Sequence, residues 1–419
     1  MKTILFCLSL FFWSTLLSQT QIKVMSYNLL DFPEQIPNPR ENILKNILDN
    51  IQPDIFMVCE LETEAGADLI LNTSLATIDN RYARGAFVVN TSGSYPGNIQ
   101  QLVFYNSHKL TLTNQTEIKT SLRDINHFTF KLKTVNMATN PLYLDVFVAH
   151  LKSSTGTSNE NTRLDMVLDF TSTLSSIPNN HFVLIGGDFN LYTYTEPAYQ
   201  ELLDTTNAIV LEDPINRPGN WHNNSSFDDI HTQSTHTKTF YSDGSNNYGA
   251  GGGLDDRFDF ILISKNLQTS TDLHYVSGTY KAYGNNGNCF NKSINDTSCT
   301  GTYSQAIRDN LYNMSDHLPV IMELETPENT LGIKQQQLVK PIVFTRGNLI
   351  NNWLEMTSNI NLTGSRLIIY NQLGQNVFSR ILNQSNIIKY NLTNLTPGVY
   401  YIKIGLSNYT KPLKFIKLP

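Results

Sequence analysis

Apolar runs of strand length recur along this chain, and each carries an acid, an amide or a histidine at or near one end. The last is the plainest: Asp316-His317 stands just before the run Val320-Ile321-Met322-Glu323-Leu324. Successive side chains on a strand face opposite ways, so one of this pair can serve a metal while the other serves a proton. Residues 22–30 form a strand candidate in which Ile22, Val24 and Asn28 share a parity, which puts Asn28 at the end of an apolar face. Residues 55–59 are apolar without alternation, which reads as a strand buried on both faces, and Glu60 ends it. Residues 142–150 alternate, with Leu142, Leu144, Val146, Val148 and His150 on one face. The short buried run 182–185 enters Gly186-Gly187-Asp188-Phe189-Asn190, where glycines permit tight backbone geometry before an acid and an amide. Asp259 shares the parity of Ile261 and Ile263. A carboxylate beside a packed face needs a partner, and a histidine is a natural one.

Helical spacing intervenes between these runs. Ile43, Leu44, Ile47, Leu48 and Ile51 repeat at that period between Pro39 and Pro53, and residues 162–177 predict a second helix. Shorter strands are expected at 86–89, 102–105 and 127–132. Strands alternating with helices make an α/β chain. Residues 213–253 are irregular and hold His222, His231 and His236, whose spacings fit no helix face and assign no metal site. A loop this long in a compact domain is more often functional or mobile than idle.

A chain of 419 residues predicts two domains plus short extras. Residues 1–20 read as a secretory signal: Lys2, then an apolar run, then small residues for cleavage. Residues 21–326 hold all the candidate chemistry. Residues 327–340 turn polar, with Gln335-Gln336-Gln337, and read as a linker. Residues 341–419 predict a small C-terminal β-sandwich without a histidine, a module for targeting or attachment. No other stretch approaches a membrane span, so an exported monomer with no integral span is expected. Cys7 leaves with the signal, Cys59 lies inside an apolar run, and Cys289 and Cys299 are expected to close a disulfide loop. The net charge is −6, and no basic run supports tight, sequence-independent nucleic-acid binding. The lack of a strong basic patch predicts weak, salt-sensitive substrate binding.

The ordered set is therefore Asn28, Glu60, His150, Asp188, Asn190, Asp259, Asp316 and His317. Oxygen ligands without a cysteine–histidine cage suit a hard cation, Mg²⁺, Mn²⁺ or Ca²⁺. Two histidines with acids nearby supply proton transfer.

In that order, Ser26-Tyr27-Asn28, Glu60, Ala149-His150-Leu151, Gly187-Asp188-Phe189-Asn190, Asp256-Arg257-Phe258-Asp259-Phe260 and Ser315-Asp316-His317-Leu318-Pro319-Val320 resemble the endonuclease/exonuclease/phosphatase superfamily. The resemblance covers residues 22–325. It implies a four-layer α/β sandwich, two packed mixed sheets with helices outside and the site at one end of the sheets. It implies metal ligation by Glu60 with Asn28 and Asp316 adjoining. Asp188 and Asn190 would orient or activate water and hold the phosphate, His150 and His317 would contact phosphoryl oxygens and move protons, and Asp259 would fix the His317 tautomer. Arg123 resembles an arginine that such enzymes place near phosphate. The pattern departs from the family at Cys59, where many members have Gln, and at Gln100 and Gln101, near which deoxyribonuclease I backs its first histidine with an acid. The activity implied is a secreted, divalent-metal-dependent phosphodiesterase, first of all an extracellular nuclease cleaving DNA or RNA. The alternatives are a sphingomyelinase-like phospholipid phosphodiesterase, for which Trp221 and Phe227 offer aromatics, and a non-catalytic surface-binding protein.

The C-terminal stretch resembles the type A sorting domain of the type IX secretion system, found in Bacteroidetes. The resemblance rests on Ile369-Tyr370-Asn371-Gln372-Leu373-Gly374-Gln375, Leu395-Thr396-Pro397-Gly398-Val399-Tyr400-Tyr401 and Lys414-Phe415-Ile416-Lys417. It implies outer-membrane export, with the secretion machinery as partner of 341–419 and a secreted or surface location.

Overall fold

The computed structural model describes residues 20–34, 39–76, 78, 81–93, 99–233, 236, 239–240, 247–330, 342–345, 347–358, 362–383, 387–405 and 413–418. The signal expected over 1–20 lies outside them except for Thr20, as does 331–340 of the expected linker. The chain divides into two compact units, Met1–Gly332 and Ile333–Pro419.

The first unit lays down β1 (Thr20–Phe32), α1 (Arg40–Ile51), β2 (Ile55–Leu61), α2 (Glu64–Leu69), β3 (Tyr82–Arg84), β4 (Gln100–Asn106), β5 (Leu110–Ile118), β6 (Ile125–Leu132) and β7 (Tyr143–His150). It continues with α3 (Thr157–Thr173), β8 (Phe182–Asp188), α4 (Pro197–Leu202), β9 (Leu211–Glu212), β10 (Thr239–Phe240) and β11 (Asn247–Tyr248). It ends with β12 (Asp259–Ser264), α5 (Asn266–Thr269), β13 (His274–Tyr275), β14 (Lys281–Ala282), α6 (Gln305–Met314) and β15 (Val320–Thr326).

Two mixed sheets result. One has the order β13-β15-β1-β2-β4-β3, with β14 also on β15; the other is β5-β6-β7-β8-β12-β9. The pairs β1–β2 and β7–β8 are parallel, and their neighbours are antiparallel. The sheets face each other: Leu144, Val146 and Val148 of β7 share one buried cluster with Val24 of β1 and Met57 of β2. Each such side chain, once fully buried, contributes about 1.5–3 kcal/mol. Leu44, Ile47, Leu48 and Ile51 of α1 and Leu311 and Met314 of α6 join that cluster from the outer side of the first sheet. Met166, Val167 and Phe170 of α3 cover the outer face of the second, against Phe147, Val183 and Phe260. The four-layer sandwich implied by the resemblance is the one observed.

Residues 86–89 are not a strand. The edge strand is Tyr82–Arg84, and the chain then leaves the ladder because the Gln115 amide grips both the N–H and the carbonyl of Ala86, at 2.8 and 2.9 Å. The second helix starts and ends earlier than 162–177, at Thr157 and Thr173, with a short 3₁₀ turn behind it. Cys289 and Cys299 are disulfide-bonded, with Cα atoms 5.3 Å apart.

The second unit holds β16 (Ile342–Phe344), β17 (Leu349–Ile350), β18 (Trp353–Ser358), β19 (Arg366–Asn371), β20 (Asn376–Ile381), β21 (Ile387–Asn391), β22 (Gly398–Gly405) and β23 (Leu413–Lys417). A three-stranded sheet, β16-β18-β21, and a five-stranded sheet, β17-β23-β22-β19-β20, enclose Leu354, Met356, Leu367, Ile369, Ile388, Ile402 and Phe415. This is the expected β-sandwich. No helix among the described residues is long and apolar enough to cross a membrane.

Candidate active site

Strand register brings the polar ends together. In the second sheet His150 pairs with Asp188 across the parallel β7–β8 ladder, and Asp259 pairs with Asp188 across the antiparallel β8–β12 ladder. Partners on one rung point to the same face, so His150, Asp188 and Asp259 stand side by side on the face turned toward the first sheet. Gly187 permits that rung. Its φ is +144°, and a Cβ there would lie 1.8 Å from the Ala149 carbonyl oxygen. From the first sheet, Asn28 and Glu60 reach the same rim. The register of β2 slips against both neighbours around Glu60, and Glu60 itself is left-handed at φ 57°. That bulge turns the carboxylate onto the rim instead of into the sheet.

The contacts are direct. Asn28 Nδ2 donates to Glu60 Oε1 at 2.8 Å and to Asp188 Oδ2 at 3.0 Å, while its Oδ1 accepts from the Leu30 N–H. The amide nitrogen, not the oxygen, therefore faces the carboxylates. His150 Nε2 lies 3.8 Å from Glu60 and 3.5 Å from Asp188. His317 donates from Nδ1 to Asp259 Oδ2 at 2.7 Å, and its Nε2 lies 3.7 Å from Asp188 and 3.9 Å from Asp316. Asp316 Oδ2 accepts from the Ala250 N–H. Asn190, left-handed at φ 52°, donates its N–H to Asp188 Oδ1 and its side-chain amide to the Leu151 carbonyl. Arg123 Nη1 donates to the carbonyls of His150 and Leu151, which seats its guanidinium against the β7 end of the rim. All the expected site residues thus meet in one place.

Burial sets the protonation. Glu60 is pushed up to about 8, first by desolvation and then by Asp31 and Asp316, and Asp188 is raised to about 7, first by desolvation. The two histidines diverge. Burial, then Arg123, His317 and Lys152, hold His150 well below the ordinary imidazole range, so it is neutral. For His317 burial again works downward, but Asp259, Asp188 and Asp316 together outweigh it and hold it well above that range, as a cation. The amides at Gln100 and Gln101 do not orient His150: its Nδ1 is buried without a hydrogen-bond partner in the structure.

Residues 350–418 match the family model described as the secretion system C-terminal sorting domain. The C-terminal unit is a secretion sorting tail. It directs export to the cell surface or beyond, as its resemblance to type IX tails implied. The chain is also similar to solved structures. One is TDP2 of D. rerio complexed with a single-strand DNA product, at 15% identity over 73% of this chain and 100% of that one, TM-score 0.46. Another is an endonuclease/exonuclease/phosphatase family protein from Bacteroides thetaiotaomicron, at 16% over 74% and 96%, TM-score 0.43. A third is a mannosyl-6-phosphatase from the same species, at 15% over 72% and 99%, TM-score 0.40. These likenesses add nothing to the architecture already described. No curated protein sequence matches this chain.

The donor set fits a hard divalent cation. Ligand atoms of Glu60, His150 and Asp188 lie within 4.8 Å of one another, the group of this kind found among the described residues. Glu60 is partnered by the Asn28 amide and the Asp31 N–H, and no lysine or arginine lies within ion-pair distance of it among the described residues. Of the expected ligands only Glu60 is in that group. Asn28 bridges its two carboxylates, and Asp316 stands beside His317. His222, His231 and His236 do not converge: they pair with Asp256, the Trp221 carbonyl and the Tyr312 carbonyl.

Two supporting residues escaped the sequence reading. Arg40 is buried and donates to the carbonyls of Leu29, Leu30 and Met314, tying the end of β1 to the end of α6. Burial lowers it to about 10. Thr232, inside the irregular loop, accepts the N–H groups of Phe258 and Asp259 on its hydroxyl and the Leu318 N–H on its carbonyl. It locks the Asp259 and His317 segments in step. The only sequence signal for either was a charged residue opening an apolar helix, or a threonine amid polar loop residues.

Proposed function

We propose that the first unit is a divalent-metal-dependent phosphodiesterase, exported by way of its sorting tail, whose substrate is nucleic acid. The observation that carries this reading is geometric: His150 Nε2 and His317 Nε2 lie 3.5 and 3.7 Å from one carboxylate, Asp188, on a rim of acids, and their surroundings push the two rings in opposite directions. Groups whose environments push their pKa values apart are a signature of assigned acid and base roles.

Glu60 and Asp188 would hold the cation, with Asn28 keeping them together and Asp316 adjoining. When bound, a divalent ion supplies Lewis-acid stabilisation of charge on the phosphoryl oxygens. Asp188, held on Oδ1 by the Asn190 N–H, is a carboxylate once the cation is bound and takes a proton from the attacking water. Asn190 positions water and phosphate. His317, a cation fixed by Asp259, donates from Nε2 to a phosphoryl oxygen. His150, neutral, donates one hydrogen bond and no charge. Arg123 adds a fixed positive charge beside the phosphate site. Water attacks phosphorus and gives its proton to Asp188, one P–O ester bond breaks, and the leaving oxygen takes the proton of the His317 cation.

The lipid alternative loses its footing. Trp221 is fully buried against Tyr199 and Phe260, and Phe227 packs beneath the Arg217 guanidinium, so neither is free to enter a bilayer.

The deciding experiment is nicking of supercoiled plasmid by the mature protein with Mg²⁺ and with EDTA, beside His317→Ala. Metal-dependent nicking lost in the variant establishes the reading. No nicking with Mg²⁺, Mn²⁺ or Ca²⁺ refutes the nuclease assignment.

A further inference from the structure

Beside the rim, on its Asn190–His317 side, stands a second group of polar side chains that the chemistry above does not use. His222 Nδ1 lies 2.8 Å from Asp256 Oδ1; the Asp256 side chain is buried and that of His222 is 52% exposed. Main-chain contacts fix the pair against the site. Gln233 bridges to Asp256 and also to His317. The His222 N–H donates to the carbonyl of Tyr192, two residues beyond Asn190. The Tyr192 ring meets the His222 ring edge-on at 5.3 Å and the Phe258 ring at 4.8 Å. Asp255 adjoins, half-buried.

Donor and acceptor accounting decides what this patch can take. In the neutral imidazole with Asp256 as carboxylate, Nδ1 carries the proton and donates to it, and Nε2 presents a lone pair outward. Nε2 has no partner among the described residues. Two carboxylates around one imidazole repel a second phosphate. The ligand that fits is a neutral group bearing N–H or O–H donors, lying against an aromatic edge.

We propose that His222, oriented by Asp256, is a specificity-determining contact for the nucleoside next to the scissile phosphate, its Nε2 accepting a hydrogen bond from a sugar hydroxyl or a base amino group. This rests on the nuclease reading above.

The test uses the mature protein and three substrates: DNA and RNA oligonucleotides of one sequence, and bis(p-nitrophenyl) phosphate, which has neither sugar nor amino group. His222→Phe keeps a ring on Tyr192 and removes the acceptor; His222→Gln restores an acceptor. His222→Phe is expected to raise KM for oligonucleotide roughly five- to tenfold, the net worth of one hydrogen bond, and to leave the small diester unchanged. His222→Gln recovers part of the loss. A loss confined to RNA identifies the 2′-hydroxyl, and one shared by DNA and RNA identifies the base. An equal loss on the small diester, or an unchanged KM on all three, overturns the proposal. If the parent cleaves no nucleic acid, the nuclease reading fails alone, and fluorescence anisotropy with a labelled oligonucleotide judges His222. Weaker binding by His222→Phe than by the parent sustains the contact, and equal binding overturns it.

Discussion

Replacing Asp259 by Asn removes one charge from the rim and almost nothing of its shape. The affected group is His317, whose buried ring is a cation only because three carboxylates outweigh desolvation. At an effective dielectric of about 20, unit charges at the 2.7 Å Asp259 separation attract by about 6 kcal/mol, and those at 3.7 or 3.9 Å, Asp188 and Asp316, by about 4 kcal/mol each. Asp188, near 7, is only partly ionised at neutral pH, so Asp259 is the dominant counter-charge. If one third of its attraction is expressed, about 2 kcal/mol, the His317 titration falls by about 1.5 pH units. The amide also has an N–H to offer, which turns Nδ1 into an acceptor and moves the proton to Nε2. Together these predict a loss in kcat/KM of roughly 10²–10³-fold at neutral pH. The assay is ¹⁵N NMR of the imidazoles against pH in metal-free protein, beside the pH–rate profile. The sign extends to stability. A raised imidazole stabilises the fold below its unfolded value of about 6.5 and loses that contribution as pH rises through the folded value. The gap between parent and Asp259→Asn in denaturant unfolding is therefore widest at acid pH and narrows at alkaline pH. An Asp259→Asn protein whose His317 titrates where the parent's does, with unchanged activity, refutes the reasoning.

Four further outcomes are expected. Glu60 near 8 and Asp188 near 7 must both ionise to hold a cation, so Mg²⁺ or Mn²⁺ binding at pH 7 releases protons and weakens as pH falls, read by calorimetry in buffers of different ionisation enthalpy; binding without proton release contradicts the assignment. Because those carboxylates are raised, they cost the metal-free fold stability that grows as pH climbs from about 4.5 toward 8, so added metal should raise Tm more at pH 8 than at pH 5. Gly187→Ala sets a methyl against the Ala149 carbonyl and should cost 3 kcal/mol or more, about the worst of core substitutions, and abolish activity, checked by urea unfolding. Cys289→Ser with Cys299→Ser opens a loop closed across 10 residues and should cost about 2–3 kcal/mol by the chain-entropy argument, checked by calorimetry against the parent.

Much of the fold was legible because burial writes directly into periodicity. The unbroken apolar run 55–59 is a strand covered on both faces, and the alternation of 142–150 put His150 on the face that the second sheet turns inward. Leu44, Ile47, Leu48 and Ile51 are the buried stripe of α1. Residues 86–89 were misread because what pulls them off the ladder is Gln115, a tertiary contact with no local signature. The polar loop 213–253 concealed packed structure for the same reason. Trp221 is buried there, and Thr232 there carries hydrogen bonds that only the assembled rim reveals.

At the site the legible and illegible parts divide along backbone conformation. Parity arguments hold where the strand is regular, and they correctly gave Asp259 a histidine partner. They fail where side chains are aimed by conformations that L-residues rarely adopt. Leu30, Asp31, Glu60 and Asn190 all have positive φ, and all lie at strand ends on the rim. Such positions cost of order 1–3 kcal/mol each and persist only when surrounding structure over-determines them. Here the surroundings do so: Arg40 grips the carbonyls of Leu29 and Leu30, the Asp31 N–H holds Glu60, and the Asn190 N–H holds Asp188. The strain and the buried carboxylates are thus one construction, since the contorted backbone supplies the N–H groups that acids need when water is excluded. A chain built for stability alone would have straightened β2 and filled the rim with apolar side chains. That it instead holds Glu60 and Asp188 together through the Asn28 amide, with no lysine or arginine paired to Glu60 among the described residues, is the physical reason to expect a cation there.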